Sequence, residues 1–83
     1  MSENKSVVSM NDYGRIKLHL SELIEEKGMN RNSLAKAVNT RFEVIDRWCK
    51  NKVENIDMDI LARICYVLDC KVSDIIEYEE RGE

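Results

Sequence analysis

The chain has 83 residues, 35% of them charged, with 16 acidic against 13 basic side chains and a formal net charge of −3 at pH 7. That length holds one small domain, and the sequence has neither a run of apolar residues long enough to cross a membrane nor a secretory leader at its start. Three cysteines without Cys-x-x-Cys spacing argue against a disulfide scaffold and fit a reduced, cytoplasmic setting, while zero Pro and three Gly favour helices over a β-sandwich.

Residues 1–12 (MSENKSVVSMND) are polar and aperiodic, and read as a disordered N-terminal arm whose only base is Lys5. Tyr13 to Leu18 alternates as a short strand does. The stripe Ile16, Leu20, Leu23, Ile24 and Lys27 predicts a first helix from about Lys17. Gly28 is its natural left-handed stop, with Met29 packing back on the helix end. Asn30 is a good N-cap for a second helix, whose apolar face is Leu34, Ala35 and Val38.

A third helix is predicted from about Phe42 to Lys50, capped by Thr40 rather than Arg41 and closed by Asn51 in the left-handed conformation. Ile45, Trp48 and Val44 point inward. Arg41, Phe42, Glu43, Asp46, Arg47 and Lys50 are left facing outward or sideways. After a loop over 52–55, Asp57 caps a fourth helix reaching about Leu68. That helix is apolar over more than half its circumference, with only Asp59 and Arg63 clearly wet, which places it centrally or against a second subunit. Ser73 is expected to cap a short fifth helix from Asp74 to about Glu77, with Val72, Ile75 and Ile76 completing the core. The expected architecture is all-α, a compact five-helix domain over 13–78 followed by an acidic tail, 79–83. Residues from Tyr78 onward are placed to pair with Tyr13–Ile16 as a small sheet.

The second and third helices have a specific relation. Steeply crossing helices need a small residue at their contact, here Ala35. The chain must reverse through a residue that tolerates the left-handed region, here Asn39, and the next helix must return a branched residue, here Ile45. A helix-turn-helix meets all three demands. The same stretch concentrates charge: from Lys27 to Lys52, seven bases (Lys27, Arg31, Lys36, Arg41, Arg47, Lys50, Lys52) face two acids (Glu43, Asp46), leaving +5 within a chain of net −3. Such segregation marks a phosphate-binding face despite a pI near 5.2, which by itself points away from nucleic acid.

These features, read through Lys27-Gly28-Met29, Leu34-Ala35, Val38-Asn39-Thr40, Ile45, Trp48, Asp57 to Leu68 and Val72-Ser73-Asp74-Ile75-Ile76, resemble the phage repressor and Cro-type DNA-binding fold of the xenobiotic-response-element family. The resemblance spans roughly Ile16 to Ile76. It implies a lambda-repressor-like domain without a following ligand-binding domain. It places Phe42, Glu43 and Arg47 at major-groove positions, with Asp46 beside them among the base contacts. Arg31, where the family often has Gln, is implied as a phosphate anchor together with Lys36, Arg41, Lys50 and Lys52. The chain departs from the family pattern at Asn39, usually Gly, at Arg41, often Ser, at Cys49, often Glu, and at Asn51, often Gly.

The expected function is therefore a sequence-specific regulator of transcription, a repressor acting as a homodimer on an inverted repeat of double-stranded DNA. The alternative is a protein-interaction module of antitoxin or anti-repressor type, suggested by the acidic flanks and the two acids on the third helix. No catalysis, cofactor, metal, membrane or small-molecule effector is expected. His19 is the sole histidine, Cys49, Cys65 and Cys70 lack ligand spacing and read as small buried hydrophobes, and no glycine-rich phosphate loop occurs.

Overall fold

The computed structural model describes residues 6, 7, 9 and 12–81, so most of the expected N-terminal arm and the last two residues of the tail lie outside the described residues. Five helices are framed by two strands: β1 (Arg15–Leu18), α1 (Leu20–Glu26), α2 (Arg31–Ala37), α3 (Phe42–Cys49), α4 (Met58–Leu68), α5 (Val72–Ile75) and β2 (Ile76–Glu79). Each helix sends one fully buried branched aliphatic into a common core: Leu20, Leu34, Ile45, Ile64 and Ile75. Leu18, Ile24, Ala35, Val38, Trp48, Ile60, Leu61 and Leu68 surround them. A core this small depends on every helix contributing.

The all-α expectation is corrected by the two-stranded antiparallel sheet. Its register pairs Arg15 with Glu79, Ile16 with Tyr78, Lys17 with Glu77 and Leu18 with Ile76. The strands thus extend two residues deeper into the domain than Tyr13–Ile16 and Tyr78 onward. Leu18 is the reason. As the last residue of an alternating run it drops into the core, so the backbone stays extended through it and α1 begins at Leu20 rather than Lys17. The outward face of the ribbon sets opposite charges across from each other, and Arg15 Nε donates to Glu79 Oε1 at 2.9 Å. Glu79, assigned to the tail from sequence, is thereby part of the sheet. At Gly14 the strands approach so closely that a Cβ would overlap the Glu79 carbonyl. Its N–H donates to the Tyr78 hydroxyl at 2.8 Å.

The same pull explains α5. Ile76 adopts an extended backbone to face Leu18, so the helix occupies Val72–Ile75, two residues earlier than expected, with Lys71 rather than Ser73 at the N-cap position. The Asp74 carboxylate accepts the Lys71 N–H at 2.9 Å. Asp57 caps α4 as expected, accepting from Asp59 N and Ile60 N. On α4 the wet face is wider than Asp59 and Arg63 alone. Met58 and Tyr66 are 76% and 87% exposed, and Ala62 between them is exposed too.

Candidate nucleic-acid interface

The α2–turn–α3 unit is built from local chemistry. Asn30 Oδ1 accepts the Ser33 N–H at 2.8 Å while Ser33 Oγ accepts the Asn30 N–H at 3.0 Å, a reciprocal cap that starts α2 at Arg31. Val38 is buried, and Asn39 then turns left-handed with φ 59°. The Thr40 N–H returns to the Ala35 carbonyl at 2.9 Å, closing the helix end. Arg41 occupies the N-cap of α3 without a side-chain cap bond, so Thr40 does not perform the capping expected of it. Asn51, with φ 62°, ends α3, and the Lys52 N–H bonds back to the Arg47 carbonyl at 2.9 Å.

Helical geometry sorts α3 into two faces. At about 100° per residue, Phe42, Glu43, Asp46, Arg47 and Lys50 occupy an arc of about 140°, and Val44, Ile45, Trp48 and Cys49 occupy the opposite one. The core takes the second arc: Ile45 and Trp48 are buried, which assigns Trp48 to packing rather than base stacking. Phe42, Glu43, Arg47 and Lys50 are exposed on the first. Asp46 is not free on that face. Its Oδ1 accepts from Arg31 at the start of α2 at 2.5 Å, and its Oδ2 meets Lys50 Nζ one turn later at 2.9 Å. Lys50 first and Arg31 second hold the Asp46 carboxyl below the ordinary carboxylate range, and the same contact raises Arg31. Beside them, burial pushes the Cys49 thiol upward.

Among the described residues, Lys36, Arg41, Arg47 and Lys52 make no ion pair. A cleft of about 510 Å³ runs beside α3, its wall including Thr40, Arg47, Lys52 and Asn55. The structure thus gathers Arg31, Phe42, Glu43, Asp46, Arg47, Lys50 and Lys52 around one face. Lys36 stands on the exposed side of α2.

Two supporting residues escaped sequence reading. Arg63, expected to be solvated, reaches from α4 to the turn, where its guanidinium donates to the Val38 carbonyl at 3.0 Å and to the Asn39 carbonyl at 3.4 Å. These are carbonyls that a helix C-terminus leaves without intrahelical partners. Asp59, one turn back on α4, holds Arg63 at 2.5 Å. That i,i+4 pair was the only signal in the sequence, and it does not name the tertiary partner. Asn51 does more than close α3. Its Oδ1 accepts the Leu18 N–H at 3.1 Å and its Nδ2 donates to the Leu18 carbonyl at 3.3 Å, tying β1 to the end of the exposed helix.

No group of three potential ligands with metal-binding geometry occurs among the described residues. Cys49, Cys65 and Cys70 are half-buried free thiols. His19 Nε2 faces Glu77 Oε1 at 2.5 Å. No described helix is long and apolar enough to cross a membrane.

Residues 19–81 match the family model described as Cro/C1-type HTH DNA-binding domain. A crystal structure of a Bacteroides fragilis protein, provisionally described as DNA-binding, superposes with a TM-score of 0.68 at 22% identity, covering 76% of this chain and 100% of its own. The transcriptional regulator VanUg superposes with a TM-score of 0.68 at 23% identity, covering 94% of this chain and 100% of its own. At these identities the likeness concerns the fold. No curated protein matches the chain significantly.

Proposed function

This chain belongs to the Cro/C1-type HTH DNA-binding family, and from that premise we propose that it is a sequence-specific transcriptional regulator that represses by occupying its operator as a homodimer. The observation that carries the proposal is the two-faced α3. Its inner arc is anchored in the core through Ile45 and Trp48, and its outer arc presents Phe42, Glu43 and Arg47 to solvent beside Arg41 and Lys52, which make no ion pair among the described residues.

In the major groove, Arg47 donates to guanine O6 and N7, Glu43 accepts from cytosine N4, and Phe42 meets a thymine methyl. Arg31, Lys36, Arg41, Lys50 and Lys52 hold phosphates, with one strand's backbone following the cleft beside Arg47 and Lys52. One domain of this size makes few contacts, so useful affinity requires two copies on half-sites about 34–36 Å apart. The exposed α4 stripe of Met58, Ala62 and Tyr66, and the exposed Ile16–Tyr78 pair of the sheet, are the apolar surfaces available for that dimer.

The test is fluorescence anisotropy against a randomised duplex pool, with the bound fraction sequenced. An inverted repeat is expected. Arg47→Ala is expected to reduce operator affinity by about 1–3 kcal/mol and relax specificity at one position, while Lys52→Ala weakens all sequences alike. An Arg47→Ala protein that selects the same operator with the same affinity refutes the assignment of α3. Absence of retained DNA at low salt refutes DNA binding and favours a protein partner for the α3 face, where Glu43 and Asp46 lie.

A further inference from the structure

The outward arc of α3 contains one acid that is satisfied entirely by cations of its own chain. Asp46 is 19% exposed at its side chain, while Arg31 and Lys50 above it are 36% and 54% exposed. The two cations cover the acid and keep their outer sides in solvent. Each carboxylate oxygen meets a different cation: Oδ1 takes Arg31, on another helix, and Oδ2 takes Lys50, one turn along the same helix. A phosphodiester offers the same chemistry, one negative charge shared by two oxygens. We propose that Asp46 is an intramolecular stand-in for a backbone phosphate, holding Arg31 and Lys50 so that DNA must compete for them.

The inference rests on the DNA-binding function proposed above and adds a role for Asp46 other than reading a base. With Asp46 in place, Arg31 and Lys50 together contribute a net charge of +1 to the interface. Without it they contribute +2 and release one more counterion on engaging phosphate. Phosphate contacts position the protein without carrying sequence information, so the stand-in lowers affinity for operator and random DNA equally. Asp46 thereby sets the strength and salt sensitivity of binding and leaves the choice of sequence to Phe42, Glu43 and Arg47.

Asp46→Asn keeps the shape and removes the charge. The variant, the wild type and the charge-preserving Asp46→Glu are titrated from 50 to 200 mM salt against the selected operator and a random duplex, after circular dichroism has verified their fold. For Asp46→Asn the slope of log affinity against log salt is expected to steepen by about 0.9, one further phosphate. Its advantage over wild type then grows about three- to fourfold as salt falls from 200 to 50 mM. The operator-to-random ratio stays that of wild type, and Asp46→Glu restores the wild-type slope. A shallower slope with weaker binding overturns the proposal, because Asp46 then positions the cations for DNA. An altered operator-to-random ratio also overturns it, because Asp46 then reads a base. If folded wild type retains no DNA at 50 mM salt, the regulator function itself is refuted and this inference with it. Retention by wild type with an unmoved slope in the variant refutes the inference alone.

Discussion

Replacing Asn51 by Gly and, separately, Asn39 by Gly makes the same chemical change at two residues of nearly the same backbone conformation, φ 62° and φ 59°. The two substitutions are expected to shift stability in opposite directions. A non-glycine residue in the left-handed region is disfavoured by about 1–2 kcal/mol, less for Asn, and Gly removes that strain while making the unfolded chain freer. At Asn39 the side chain makes no hydrogen bond among the described residues, so the net gain from Gly is about 0.5 kcal/mol. At Asn51 the side chain exchanges two bonds with the Leu18 backbone, at 3.1 and 3.3 Å. Each is worth about 1 kcal/mol net, and more if a partly buried backbone group is left unpaired. Loss of both outweighs the relief of strain, leaving Asn51→Gly about 1–2 kcal/mol less stable. For a domain of this length each kcal/mol moves the melting temperature by about 4–8 °C. Trp48, the single tryptophan and buried in the core, reports unfolding by fluorescence. Equal shifts of the same sign for both variants refute the claim that Asn51 ties β1 to α3.

Three further outcomes are expected. Arg63→Ala removes the guanidinium from the Val38 and Asn39 carbonyls and is expected to destabilise by about 1–2 kcal/mol, with faster exchange of the Thr40 amide. Asp59→Ala, which removes only the surface partner, stays within about 0.5 kcal/mol, so equal effects of the two argue against the turn brace. Gly14→Ala forces a Cβ into the Glu79 carbonyl and is expected to destabilise by about 1–3 kcal/mol while opening the β1–β2 amides to exchange; an unchanged exchange pattern contradicts the close approach. Lys50 and Arg31 lower the Asp46 carboxyl, and Arg15 lowers that of Glu79. Lowered carboxyls stabilise the fold above their ordinary values and lose that contribution as pH falls through the folded-state values. Acid titration of stability below about pH 5 is therefore expected to be shallower in an Asp46→Asn, Glu79→Gln double variant than in wild type.

The punctuation of the chain was legible because its chemistry is local. Asn30 caps α2 through Ser33, three residues on. Gly28, Asn39 and Asn51 take left-handed backbones that few other residues tolerate. The periodicity that separates Ile45 and Trp48 from Phe42, Glu43 and Arg47 lies within one helix. What the sequence left unread is longer in range. The pairing of the chain ends was expected, but how far Arg15–Leu18 stays extended before α1 begins depends on a partner strand, with Arg15 and Glu79 64 positions apart. Arg63 looked solvated because its acceptors lie 25 and 24 positions away. The Arg31–Asp46 pair was unread because the position of Asp46 on the helix wheel is outward, and only the crossing of α2 over α3 brings Arg31 within reach.

The five helices, the left-handed stops at Gly28, Asn39 and Asn51, the helix-turn-helix and the concentration of positive charge upon it follow from the sequence, since caps, turns and amphipathic periods act over four residues or fewer. Contacts between distant segments set the register and depth of the small sheet, the Arg63 brace on the turn, the Asn51 clamp on Leu18 and the engagement of Asp46. Each of these is a polar or backbone group meeting a partner on a distant segment. Such a pairing has no periodic signature, because it depends on where the core holds the two segments rather than on the residues that flank them.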